Sequence, residues 1–124
     1  ICDKYRKKAN EVEGITVIGD PKGKEVYLID DIVDTAGTLS KAADALIAKG
    51  ATKVKAICTH PVLSGKAYEV IMNSSIDELI VSDTLPLRKE IPKITVLSSA
   101  KLFARAIRNT HEHRSITALF MDKS

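Results

Sequence analysis

Short apolar runs alternate along this chain with stretches whose apolar residues recur at helical spacing. Val26–Ile29, Val54–Cys58, Leu79–Val81 and Ile94–Leu97 read as strands. Val26–Ile29 reads as a buried one. Between the first two, Leu39, Ala42, Ala43, Leu46 and Ile47 fall on one helical face, and Gly50 supplies a C-terminal stop. Ser64-Gly65 opens a second helix with Ala67, Val70 and Ile71 inward. Ser98 or Ser99 caps a third, with Leu102, Phe103, Ala106 and Ile107 as its inner face. Repeated strand–helix alternation predicts an α/β chain: a mostly parallel sheet flanked by helices on both faces. Ligands of such sheets sit at the carboxyl ends of the strands, here just after Ile29, Cys58, Val81 and Leu97. Ser115–Phe120 closes the chain as a tail or a final strand.

The first part of the chain reads differently. Residues 1–14 mix charges without an apolar period, which predicts a mobile loop. Ile15–Ile18 reads as a strand, and Asp20-Pro21-Lys22-Gly23 as a turn that folds it antiparallel onto Val26–Ile29 at a sheet edge. The chain opens on Ile1 rather than Met, which reads as a processed chain or an excerpt of a longer one. No signal peptide is visible, and no apolar run exceeds four residues, against about 20 for a membrane-spanning helix. A net charge of +3 is too weak to demand a polyanion, and 4% aromatics supply no stacking platform, so no nucleic-acid partner is expected. Two cysteines without CxxC spacing suggest a reducing compartment and no structural zinc.

The chemistry concentrates in Asp30-Asp31-Ile32-Val33-Asp34-Thr35-Ala36-Gly37-Thr38, at the end of the first strand of the alternation. A turn of small residues at a helix N-terminus offers free amides, hydroxyls and the positive dipole end, which suits phosphate. Neither a Walker loop nor GxGxxG occurs. Asp30 and Asp31 would repel a bare phosphate. They make sense if the ligand also donates hydroxyls, or if a divalent cation intervenes. Phosphate at one end and a diol at the other describe a pentose 5-phosphate. Asp34 lies at the mouth of the turn, where it can order the loop or reach the anomeric side. Taken singly, each of these residues also serves as an ordinary cap or turn residue; the nine in this order are the specific signal. Elsewhere, His60 reads as structural, Ser64 as a helix N-cap and Cys58 as a small buried hydrophobe. His111 and His113 do not share a helix face, so no metal site is expected there.

DDIVDTAGT (Asp30–Thr38) resembles the PRPP-binding signature of the type I phosphoribosyltransferase fold. CTHPVLSG (Cys58–Gly65), the opening ICDKYRKKAN and the closing SITALF make the chain similar to the C-terminal part of the ribose-phosphate pyrophosphokinases. The resemblance implies residues 1–14 as part of a catalytic flexible loop and 15–124 as a phosphoribosyltransferase-like domain, the N-terminal domain being absent. It implies that Asp30 and Asp31 bind the ribose hydroxyls, and that Asp34, Thr35, Ala36, Gly37 and Thr38 hold the 5-phosphate. Lys4 and Arg6 match the two positively charged positions of the loop that carry catalysis, with Tyr5 where the family has Arg. The implied reaction moves the diphosphoryl group of ATP to ribose 5-phosphate, with Mg2+ as cofactor bridging to Asp30 and Asp31. Ser115 and Thr117 match a tail segment that forms a regulatory site for phosphate or ADP. A cytoplasmic homo-oligomer, a hexamer by resemblance, is implied as well. A non-catalytic regulatory relative is the alternative. A PRPP-consuming transferase shares the signature but not CTHPVLSG or SITALF.

Overall fold

A computed structural model describes residues 1–5 and 14–120, apart from the side chains of residues 3–5 and 14. The elements are β1 (Cys2–Tyr5), β2 (Gly14–Val17), β3 (Glu25–Val33), α1 (Gly37–Ala48), β4 (Lys53–Pro61), α2 (Ala67–Asn73), β5 (Glu78–Ser82), β6 (Ile94–Leu97) and α3 (Ala100–His111). A 3-10 turn, Thr117–Phe120, follows. It replaces the tail or strand expected for that segment.

Strands β3 to β6 form one sheet in chain order, every neighbouring pair parallel. The alternation therefore produces the expected α/β class with a parallel sheet flanked by helices, but α1 and α2 pack on one face of it, where helices on both faces are expected from the sequence. Pleating divides each strand between two faces. Val54, Ala56 and Cys58 of β4 and Leu79 and Val81 of β5 all point into one core. Ala43, Leu46, Ala67 and Ile71 from α1 and α2 pack against them. The apolar helical spacing finds its physical reason here: one stripe of each helix meets one face of the sheet.

The opposite face differs from the expectation. Tyr27, Ile29 and Ile57 stand exposed, Ile29 at 80%. Val26–Ile29 is thus half-exposed rather than a fully buried strand. Lys55 occupies that same face between two carboxylates, Glu25 at 3.8 Å and Glu78 at 3.3 Å. The hydrogen bond to Glu78 raises the Lys55 pKa, against a smaller opposing effect of desolvation. Helix α3 has no buried residue, and Leu102, Phe103 and Ile107 are 53–69% exposed. The spacing predicts its apolar stripe as an inner face, but among the described residues nothing covers it. Periodicity identifies a stripe and does not supply its partner.

The N-terminal segment departs further. Cys2–Tyr5 is a strand, not a loop, and pairs antiparallel with β2 from Cys2↔Val17 to Tyr5↔Gly14. Strand β2 does not fold onto β3. The Asp20–Gly23 turn is instead docked against the end of α1. The Gly23 amide donates to the Gly50 carbonyl at 2.9 Å, and the Thr52 amide to the Lys24 carbonyl at 2.9 Å. Gly50 holds φ +95°, the left-handed geometry expected of a helix stop, and a Cβ there would meet Lys22 Cγ at 3.2 Å. Charged side chains hid the β1 strand because backbone pairing in a two-stranded ribbon does not require an apolar face.

Candidate functional site

Strand β3 ends at Val33 and α1 starts at Gly37, so the turn between them lies at the carboxyl edge of the sheet. Ala36 closes the turn in the left-handed region, at φ 64°. It is buried, and its carbonyl accepts the Ser40 amide at 2.9 Å, the first turn of the helix. Alanine has no polar side chain, so the N-cap residue itself gives the first turn no side-chain hydrogen bond. That end of α1 also carries no acidic residue. Both facts leave the positive end of the helix available to an anion.

A cavity of about 280 Å³ opens there, lined by Asp30, Ile32, Val33, Asp34, Thr35, Ala36, Gly37, Thr38 and Leu39. The structure thus brings Asp30 together with Asp34–Thr38. It leaves Asp31 off the lining: the Asp31 carboxylate accepts the Ile32 amide at 2.8 Å. Adjacent residues of an extended strand point to opposite faces, which separates the acidic pair. Lys4 lies in β1, and its side chain is outside the described structure, as is Arg6 altogether. Ser115 and Thr117 are exposed, and neither lines this cavity. The Ser115 carbonyl accepts the Asn109 side-chain amide at 3.0 Å.

Three long-range bonds brace the turn, and spacing along the chain gave no sign of them. The Ser64 hydroxyl donates to Asp34 Oδ1 in a short bond. The Ser64 amide reaches the Asp34 carbonyl at 3.0 Å, and the Leu63 amide the Val33 carbonyl at 3.1 Å. The sequence suggests Ser64 as the N-cap of α2; in the structure that position falls to Lys66, and the Ser64 hydroxyl serves Asp34. One Asp34 oxygen is therefore engaged in holding the turn.

His60 belongs to β4, and its Nδ1 lies 2.9 Å from the Thr84 hydroxyl. That hydroxyl donates its hydrogen to the Thr59 carbonyl at 3.0 Å. Having one hydrogen only, Thr84 accepts from His60, so Nδ1 carries the imidazole proton. This supports the structural reading of His60. Cys58, 2% exposed, directs its thiol at the Asp31 carbonyl at 3.7 Å. Burial pushes its pKa up from 9.0. The thiolate is the reactive form. Cys58 is thus expected to resist iodoacetamide in the folded chain, at least about tenfold more slowly than a free thiol. Mass-spectrometric counting of alkylated Cys58 before and after denaturation checks this; equal rates would place the thiol outside the core.

The described residues contain no group of three or more His, Cys, Asp or Glu able to hold a metal ion. Magnesium asks for less: one or two carboxylates suffice when a phosphorylated substrate supplies further oxygens. Asp30 and the second oxygen of Asp34 meet that requirement at the cavity.

The model of the phosphoribosyl synthetase-associated domain family matches residues 5–121. The ribose-phosphate pyrophosphokinase of Campylobacter jejuni is 55% identical over 121 residues, which cover 98% of this chain and 39% of that protein. That of Helicobacter hepaticus is 53% identical over 120 residues, covering 97% and 39%. The crystal structure of phosphoribosylpyrophosphate synthetase from Mycobacterium smegmatis superposes with a TM-score of 0.78 at 35% identity, over 90% of this chain and 37% of that one. The chain spans about two fifths of the length of the curated relatives it matches.

Proposed function

The chain belongs to the phosphoribosyl synthetase-associated domain family, and from that premise we propose that it supplies the ribose 5-phosphate site of a ribose-phosphate pyrophosphokinase. The observation that carries this reading is the cavity after β3, where a carboxylate and the first turn of a helix face one space. The 5-phosphate sits on Thr35, Ala36, Gly37 and Thr38. Amides and hydroxyls there stabilise negative charge, and the helix end adds its dipole. Asp30 accepts the ribose hydroxyls. Asp31 contributes from beside the cavity, through its second oxygen. Asp34 holds the turn through Ser64 and faces the sugar with its remaining oxygen. A volume of about 280 Å³ suits a sugar phosphate and falls below the usual range for larger ligands, roughly 300 Å³ and above.

In the proposed reaction the anomeric hydroxyl oxygen attacks the β-phosphorus of ATP. The bond from that phosphorus to the α,β-bridging oxygen breaks, AMP leaves, and the anomeric proton is lost to solvent. The protein's share is alignment and charge stabilisation rather than covalent chemistry. Lys4 and Arg6 are assigned to the transferring phosphates, where two cations offset the charge that builds up in the transition state. Tyr5 between them adds none. Mg2+, when bound, would neutralise the ATP phosphates, held by Asp30, with Asp31 or Asp34 beside it. ATP, a cytoplasmic setting, a homo-oligomer of hexameric type and a regulatory phosphate or ADP site at Ser115 and Thr117 belong to the same proposal.

The test is AMP release from Mg-ATP by the full-length protein, with and without ribose 5-phosphate, inorganic phosphate being present. AMP that forms only with the sugar phosphate supports the reading. A folded, assembled protein that releases none would point to a non-catalytic relative, with Tyr5 the first position to revert to Arg.

A further inference from the structure

A second cavity begins one residue past the serine that braces Asp34. It measures about 230 Å³ and is lined by Gly65, Lys66, Tyr68, Glu69, Arg88 and Lys89. The start of α2 forms one wall and the loop after β5 the other. Tyr68 joins them. It is 5% exposed, and its hydroxyl oxygen accepts the Arg88 amide at 3.0 Å. The Lys89 ammonium stands 5.2 Å from the centre of its ring. The wall is therefore built around a buried residue, and the loop that carries two of the cations is tied to it.

The charges here are unbalanced. Three cations face one carboxylate, Glu69. Among the described residues no carboxylate pairs with Lys66, Arg88 or Lys89, whereas Lys55 elsewhere holds two. The Tyr68 hydroxyl accepts one bond, and no acceptor for its own hydrogen occurs among the described residues. Lysine and arginine are donors only. Four donor groups around one small space call for an anion with several oxygens. A carboxylate offers two oxygens; a phosphoryl group offers three. The volume lies below the range of cavities that enclose drug-sized ligands, so it suits one phosphoryl group and not a whole nucleotide.

We propose that the Lys66–Tyr68–Arg88–Lys89 cavity binds a phosphoryl group, either free phosphate or the phosphate end of a small metabolite. The site is separate from the turn after β3, since the two cavities share no lining residue, and it stands whether or not that turn holds a sugar phosphate.

The experiment is calorimetric titration of the intact protein with inorganic phosphate. Thr35→Ala/Thr38→Ala combined with Ser115→Ala/Thr117→Ala serves as the background, which weakens phosphate binding at the turn after β3 and at the proposed Ser115–Thr117 site, and heat that Lys66→Gln alters is assigned to this cavity. In that background phosphate is expected to bind with a stoichiometry of one per chain at this cavity. Adding Lys66→Ala and Arg88→Ala is expected to weaken it by about tenfold or more, the scale for losing hydrogen bonds to charged groups. Lys66→Gln, a single exposed change, is expected to weaken binding several-fold and keeps the test open if the multiple variant does not fold. No phosphate binding in the background, or binding that neither variant alters, would overturn the proposal. A phosphate monoester such as glycerol phosphate that binds more tightly than phosphate, with the same dependence on Lys66, identifies a phosphorylated metabolite. Equal or weaker binding identifies free phosphate. Both uphold the site.

Discussion

In the intact protein, Asp30→Asn lowers kcat/KM for ribose 5-phosphate by roughly 10- to 100-fold, on the proposed reading of the cavity after β3. The side chain is exposed and makes no hydrogen bond or ion pair among the described residues, so the substitution leaves the core untouched. It replaces a charged acceptor by a neutral amide. Hydrogen bonds to charged groups contribute about 1.5–3 kcal/mol each, and each 1.4 kcal/mol is about tenfold. A ribose presents two neighbouring hydroxyls, and one amide oxygen retains part of one bond. Asp31→Asn is the informative comparison. Asp31 already accepts the Ile32 amide at 2.8 Å and does not line the cavity. Asparagine keeps that acceptor, so its effect is expected to be several-fold smaller. Initial rates at subsaturating ribose 5-phosphate decide the matter. Equal losses at both positions would restore the acidic pair as a joint ligand, and no loss at Asp30 would remove it from the site.

Leu79→Ala is expected to destabilise the chain by about 2–5 kcal/mol, the range for emptying a fully buried leucine site. Leu79 is 0% exposed in the middle of the sheet, in register with Ala56 on one side and Ile94 on the other. Neither wall can easily close the void: Ala56 is already small, and both strands are held by their ladders. A small domain has only about 5–15 kcal/mol of net stability, so this one change removes a large part of it. Ile29→Ala sets the contrast. Ile29 is 80% exposed on the open face of the sheet, and its truncation is expected to stay within about 0.5 kcal/mol. Urea unfolding, read as a midpoint shift at constant slope, measures both. A Leu79→Ala loss below about 1 kcal/mol would show that the core lies elsewhere.

The two comparisons expose the same division. Residue spacing alone located β6 at Ile94–Leu97, α1 with its stop at Gly50, and the cavity-lining run from Asp34 to Thr38. These are local matters. A helical stripe, a glycine at positive φ and a turn of small residues are written in neighbouring positions, and the backbone obeys them within a few residues. The acidic pair was legible as chemistry but not as geometry. Alternation along an extended strand sends Asp30 and Asp31 to opposite sides, and only the end of the strand shows which of them meets the helix.

The remainder rests on residues far apart in the chain. Strand β2 pairs with β1 rather than β3 because the turn between them is bonded to Gly50 and Thr52, about thirty residues on. Asp34 is fixed by Ser64, and Arg88 is tied to Tyr68. Helix α3 carries an apolar stripe as clear as that of α1, yet one is exposed and the other buried. Periodicity is a property of consecutive residues, so the amino-acid sequence specifies elements and the chemistry they carry. Which strand pairs with which, which stripe is covered and which carboxylate faces the cavity follow from long-range hydrogen bonds and burial. Those energies exist only once distant segments have met.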